Sequence, residues 1–135
     1  MFTILLDEQL TGYVGYIRSL AESDAWQPVA HLLGVRFLNF PAAGLAAGIS
    51  DRDAWHFCQA RRFYLLTDNR NRRGADSLEE TIRRDNTPAS LPVFTVSDRS
   101  RFANDRSYAE RVIESLFDRL IDADNLIGTG RLYLP

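Results

Sequence analysis

Three acidic residues in this chain each follow the end of a short apolar run. The runs and their acids are Thr3–Leu6 with Asp7, Phe63–Thr67 with Asp68, and Val93–Ser97 with Asp98. If these runs are parallel strands, the acids gather at the carboxyl edge of one sheet, where open α/β sheets bind their ligands. Carboxylates held together repel one another, and a hard divalent cation offsets that repulsion. The pattern therefore predicts a metal site on an α/β sheet.

Each of these acids also has an ordinary structural explanation. Asp7 could cap a helix that begins near Leu10, and Asp68 could belong to a turn, since aspartate and asparagine both favour turns. Asp98 could pair with a neighbouring arginine in a loop. The sequence Thr67-Asp68-Asn69 nevertheless places a hydroxyl, a carboxylate and an amide close together, and hard cations accept all three as oxygen ligands. Asp7 and Asp68 therefore carry most of the prediction.

A further pair of acids, Asp51 and Asp53, lies at a predicted helix start. Ser50 is suited to cap this helix, and acids in a first turn complement the helix dipole. Capping and the dipole explain one of the two acids well. We therefore expect Asp51 and Asp53 to share one place in the predicted site.

The basic residues are all arginine, 16 in number, and lysine is absent. Guanidinium groups match phosphate oxygens in geometry, and two arginine groups follow the predicted strand ends. The first group is Arg70, Arg72 and Arg73, and the second is Arg99, Arg101 and Arg106. We predict that the first group binds nucleic-acid phosphates. A solvated polar loop, or a GC-rich genome that favours arginine codons, would explain the same pattern, and the net charge of −2 gives no bulk attraction to nucleic acid.

Strands and helices alternate along the predicted chain, which indicates a mostly parallel sheet flanked by helices. The predicted strands are Thr3–Leu6, Gly34–Leu38, Phe63–Thr67, Val93–Val96 and a short final strand, Arg131–Leu134. Helices are predicted over Leu10–Ala21 and from Ser50 to Arg62, and two more are predicted to begin at capping boxes headed by Ser77 and Ser107. The segment Pro41–Gly48 is predicted as a loop.

The bulk properties bound the class of protein. The length of 135 residues suits a single domain, 1–135. No apolar stretch approaches the roughly 20 residues that span a bilayer, so no membrane partner is expected. The amino terminus lacks the basic flank of a secretory signal. Cys58, the single cysteine, excludes an internal disulfide and fits a reducing compartment, so we expect a cytoplasmic protein.

Three stretches in order, Ile4-Leu5-Leu6-Asp7-Glu8, Asp51-Arg52-Asp53 and Leu65-Leu66-Thr67-Asp68-Asn69, resemble the PIN-like superfamily. The likeness is to the small stand-alone PIN-like proteins of prokaryotes and covers roughly Thr3 to Asp98. It implies a three-layer α/β/α fold, acids that bind Mg²⁺ or Mn²⁺, and ribonuclease activity. In many relatives it also implies the toxin half of a toxin–antitoxin pair, so RNA and an antitoxin protein are the expected partners.

The same resemblance implies roles for individual residues. Asp7 matches the first-strand acid, Asp51 or Asp53 the central-helix acid, and Asp68 the strand-end acid. All four are predicted metal ligands, and Asp7 and Asp68 are also the predicted catalytic residues.

The chain departs from the family pattern after Asp68. Many relatives have a further acid and an aromatic residue there, whereas this chain has the segment Asn69–Arg72. Two alternatives therefore stay open: a PIN-like binding or regulatory module without catalysis, and a metal-dependent phosphatase of another type. The open tail Tyr133–Pro135 could also pair with a second copy, which makes a homodimer one expectation.

Overall fold

Five strands form a single parallel sheet in the computed structural model, which describes residues 1–135. The strands are Phe2–Leu6 (β1), Val35–Leu38 (β2), Tyr64–Thr67 (β3), Val93–Val96 (β4) and Arg131–Leu134 (β5). Their order across the sheet is β2-β1-β3-β4-β5, and every neighbouring pair is parallel. The predicted α/β fold is confirmed, including the short final strand, which lies at an edge of the sheet.

Seven α-helices connect and cover the strands. They are Val14–Ala21 (α1), Gln27–Leu33 (α2), Phe40–Ala43 (α3), Asp51–Arg61 (α4), Leu78–Asp85 (α5), Arg99–Asn104 (α6) and Arg106–Ile121 (α7). Short 3₁₀ helices span Glu8–Tyr13 and Ala123–Asn125. None of the helices is both long enough and apolar enough to cross a membrane.

Both faces of the sheet are buried, because successive side chains of a strand point to opposite faces. In β1, Ile4 and Leu6 join the larger core cluster with residues of α1, α2 and α7. Leu5 points the other way and packs with residues of α4 and α5. This burial on two sides explains why β1, β3 and β4 are continuous apolar runs rather than alternating ones.

The structure corrects several predicted elements. Residues 8–13 of the first helical region form a 3₁₀ helix, and α1 begins only at Val14. The predicted loop Pro41–Gly48 overlaps α3, whose start Asn39 caps by accepting the N–H of Ala42. Sequence analysis gave no element for α2, in which Pro28 occupies the first turn.

Two helix starts near the carboxyl edge also differ from prediction. Asp105, not Ser107, caps α7, because its side chain accepts the N–H of Tyr108. Asp98 was predicted to lie in a loop with Arg99 and Arg101, but it caps α6 by accepting the N–H of Arg101.

The strand order creates a switch point between β1 and β3. The chain leaves β1 toward β2 through α1 and α2, then returns past β1 to β3 through α4, on the opposite face. Open α/β sheets bind ligands in the crevice that such a reversal leaves at the carboxyl ends of the strands. Asp7 and Asp68 follow the two strands that border this crevice.

Candidate functional site

Asp7 is held rigidly at the end of β1. Its backbone N–H donates to the carbonyl of Leu66 at 2.8 Å, which continues the pairing of β1 with β3. Its carboxylate accepts the Glu8 N–H at 2.8 Å on Oδ1 and the Thr67 hydroxyl at 2.6 Å on Oδ2. The residue is only 5 % exposed. Asp7 is therefore also the cap of the 3₁₀ helix that follows, as the structural alternative proposed, but at a buried position on the sheet.

The surroundings of Asp7 disfavour its charged form. Burial raises the pKa of the Asp7 carboxyl above its ordinary value of 3.8, and the hydrogen bonds from Thr67 and Glu8 oppose that rise. The negative charges of Asp51 and Asp68 raise the pKa of Asp7 further. The fold thus brings these three predicted site residues within electrostatic reach of one another.

Asp51 and Asp53 take different positions although they are two residues apart in α4. The Asp51 Oδ2 atom accepts the side-chain amide of Asn69 at 2.9 Å and the backbone N–H of Leu78 at 3.1 Å. Asp53 is exposed. Side chains two residues apart do not share a helix face. The structure therefore places Asp51, and not Asp53, beside Asp7.

Asp68 is bonded on one side only. Its Oδ2 lies 3.2 Å from Nε of Arg99, the first residue of α6. Its Oδ1 is buried and has no hydrogen-bond partner. A buried carboxylate oxygen without a donor is energetically unfavourable, so this atom is the one best suited to accept an added donor or cation.

Asn69 connects the elements around these acids, because each of its four polar groups is hydrogen bonded. Its N–H donates to Thr67 Oγ1 and its side-chain amide to Asp51, and its side-chain oxygen accepts the Asn71 N–H. The Asn69 carbonyl accepts from Nη1 of Arg131, on β5, at 2.8 Å. The loop after Asp68 is thereby fixed to β3, α4 and β5 at once.

Arg131 is a buried cation beneath this loop, with its side chain 6 % exposed. Besides Asn69, Nη1 donates to Thr95 Oγ1 at 2.7 Å, and Nη2 lies 3.2 Å from a carboxylate oxygen of Glu79. A buried guanidinium is stable only when it is paired and hydrogen bonded. Arg131 therefore supplies fixed positive charge on the acidic side of the sheet.

The predicted nucleic-acid-binding group, Arg70, Arg72 and Arg73, is exposed. Two successive asparagine turns shape its backbone, since the Asn71 N–H donates to Asn69 Oδ1 and the Arg73 N–H donates to Asn71 Oδ1. Arg73 and Asp51 line the same open cavity, of about 430 Å³, near the first turns of α4 and α5. The arginines thus border the acidic edge.

The donor set was compared with the needs of a divalent cation. No group of three or more His, Cys, Asp or Glu side chains is arranged so that it could hold a metal ion. Mg²⁺ usually keeps several water molecules and binds through one or two carboxylates. Asp68, with its unpartnered Oδ1, together with one neighbouring acid, fits such a hydrated cation; a cage of three carboxylates is not present.

No protein-family model, curated protein or solved structure matches this chain. The function must therefore be argued from the geometry of the site itself.

Several residues of the edge were not identified from the sequence. Asn69 and Thr67 were noted only as oxygen donors, and Arg131 and Glu79 were not considered. A charged residue that opens an otherwise apolar strand is the signal that could have identified Arg131. The pairing of Arg99 with Asp68 has no sequence signal, because it joins loops about 30 residues apart.

Substitution of Asp7 by asparagine tests the burial of its charge in the cation-free protein. As pH rises from about 4, the unfolded chain ionises before the folded one, because the folded pKa is raised, so Asp7 lowers the free energy of unfolding progressively. Asparagine cannot ionise. Asp7→Asn should therefore stabilise the protein more at pH 7 than at pH 4, measured by urea unfolding with chelator present. Asp53→Asn, at an exposed site in α4, is the control; a pH-independent effect of Asp7→Asn would contradict the prediction.

Proposed function

We propose that this chain is a PIN-like protein that binds Mg²⁺ or Mn²⁺ at its acidic edge and cleaves RNA. The observation that carries the proposal is the convergence of Asp7, Asp51 and Asp68 at the switch point of the sheet, where Asp68 has an unpartnered buried oxygen. Strongly perturbed acids in a crevice are candidates for a functional site.

The residues of the edge would share the work as follows. Asp68 and Asp7 would hold the cation, and Asp51 would complete the acidic charge around it. Thr67 and the Glu8 N–H fix the rotamer of Asp7. When bound, a divalent cation polarises a phosphate oxygen and lowers the pKa of water.

The arginine segment supports RNA as the substrate. Arg70, Arg72 and Arg73 project from the loop that directly follows Asp68, and Arg73 lines a cavity together with Asp51. Contacts with phosphates position a nucleic acid without reading its sequence. These arginines would hold the RNA backbone beside the acids.

A second candidate function is an RNA-binding or regulatory module without cleavage. Two contacts favour it: Arg99 occupies one oxygen of Asp68, and Asp51 is already bonded to Asn69 and Leu78. In that case the acids would serve mainly to hold the loop that carries the arginines.

Cleavage of a single-stranded RNA with Mn²⁺ separates these functions. We expect Asp68→Asn, Asp7→Asn and Asp51→Asn each to reduce the rate by at least about tenfold to a hundredfold, the range that even outer-shell changes at metal sites produce. Asp53→Asn, outside the cluster, should retain the wild-type rate. RNA bound by the wild-type protein without Mn²⁺-dependent cleavage would support the second candidate. Undiminished cleavage by Asp68→Asn would contradict the proposed site.

Replacing Arg70, Arg72 and Arg73 together by glutamine tests the RNA contact in both functions. Each lost phosphate contact should reduce the slope of log K against log salt by about 0.7 for single strands, or about two for three contacts. The control replaces Arg61, Arg62 and Arg111, also exposed, and changes the net charge equally. Equal slopes for the two triple variants would show that the segment makes no specific contact.

A further inference from the structure

Asp68 already has a cationic partner supplied by the chain itself. The Arg99 side chain is 48 % exposed, whereas the Asp68 side chain is 17 % exposed. The guanidinium therefore reaches from solvent onto a largely buried carboxylate, at the edge where the proposed cation would bind.

The start of α6 is fixed so that Arg99 is delivered to this position. The Asp98 side chain accepts the Arg101 N–H at 3.0 Å. The Asp98 N–H donates to the Tyr108 hydroxyl at 3.0 Å, and that hydroxyl donates to the carbonyl of Pro135. Because α7 and the chain end both hold this turn, the placement of Arg99 beside Asp68 is a feature of the fold.

The contact between Arg99 and Asp68 is suited to exchange. It uses a single guanidinium nitrogen at 3.2 Å, and it leaves Asp68 Oδ1 buried without a partner. Ion pairs that involve an exposed side chain are weak. Arg131, the other arginine of this edge, is by contrast 6 % exposed and hydrogen bonded to Asn69 and Thr95, so it cannot leave without opening the core.

We propose that Arg99 is a built-in counter-ion that competes with the divalent cation for Asp68. In the cation-free protein it offsets the repulsion among Asp7, Asp51 and Asp68. A divalent cation must displace it to use both oxygens of Asp68, so Arg99 sets the cation concentration at which the site fills. This inference rests on the proposed cation site.

Isothermal calorimetry with MnCl₂ tests the competition. We expect Arg99→Gln to bind Mn²⁺ about two- to fivefold more tightly than the wild-type protein, the factor that corresponds to losing a partly exposed ion pair. Arg101→Gln removes the same charge from the same helix, where Arg101 pairs with Asp105 at 3.3 Å. It should leave the affinity at the wild-type value, and Arg99→Lys should lie between the two.

Each outcome of the titration decides between the claims. Equal affinities for Arg99→Gln and Arg101→Gln, or weaker binding by Arg99→Gln, would overturn the competition while leaving the cation site intact. Absence of Mn²⁺ binding in every variant would overturn both the competition and the cation site.

A measurement on the wild-type protein keeps the test independent of the variants' folding. Under Mg²⁺ titration, the Arg99 Nε–Hε signal should shift as the site fills, and the Arg101 signal should not. A saturating titration that leaves the Arg99 signal in place would overturn the competition.

Discussion

The buried carboxylate of Asp7 is the constraint to which the carboxyl edge of the sheet is fitted. A charge at this depth is unfavourable, and two further acids lie close enough to add to the cost. The fold compensates with the hydroxyl of Thr67, with Asn69, whose polar groups are all bonded, and with the buried guanidinium of Arg131. Such arrangements of opposed charges are characteristic of sites that bind or react rather than of sites that only stabilise.

The topology explains why this edge falls where it does. The reversal between β1 and β3 leaves the ends of these two strands uncovered by a crossover helix, so Asp7 and Asp68 share one crevice. The first turn of α4 then brings Asp51 to the same place, and β5 brings Arg131 under the loop. The edge therefore combines a fixed cation, Arg131, with an exchangeable one, Arg99, on neighbouring sides of the same acids.

Much of this architecture could be predicted from the sequence, because continuous apolar runs and helix caps are local signals. The strands, α4 and α5 followed from such signals, and so did the acids at the strand ends. Long-range pairing could not be predicted in this way. Whether Asp51 or Asp53 faced the site depended on how α4 packs, and the partners of Asp68 and Asn69 come from α6 and β5. The caps Asp98 and Asp105 were missed because neighbouring polar residues offered equally good local alternatives.

Paramagnetic broadening by substoichiometric Mn²⁺ in an amide NMR spectrum tests the central claim, that the acids at the switch point form one cation-binding edge. The account predicts that signals of Asp7, Asp51 and residues 67–69 broaden first and together. Broadening that begins instead at an exposed acidic turn such as Asp122–Asn125, with the switch-point signals unaffected, would contradict it.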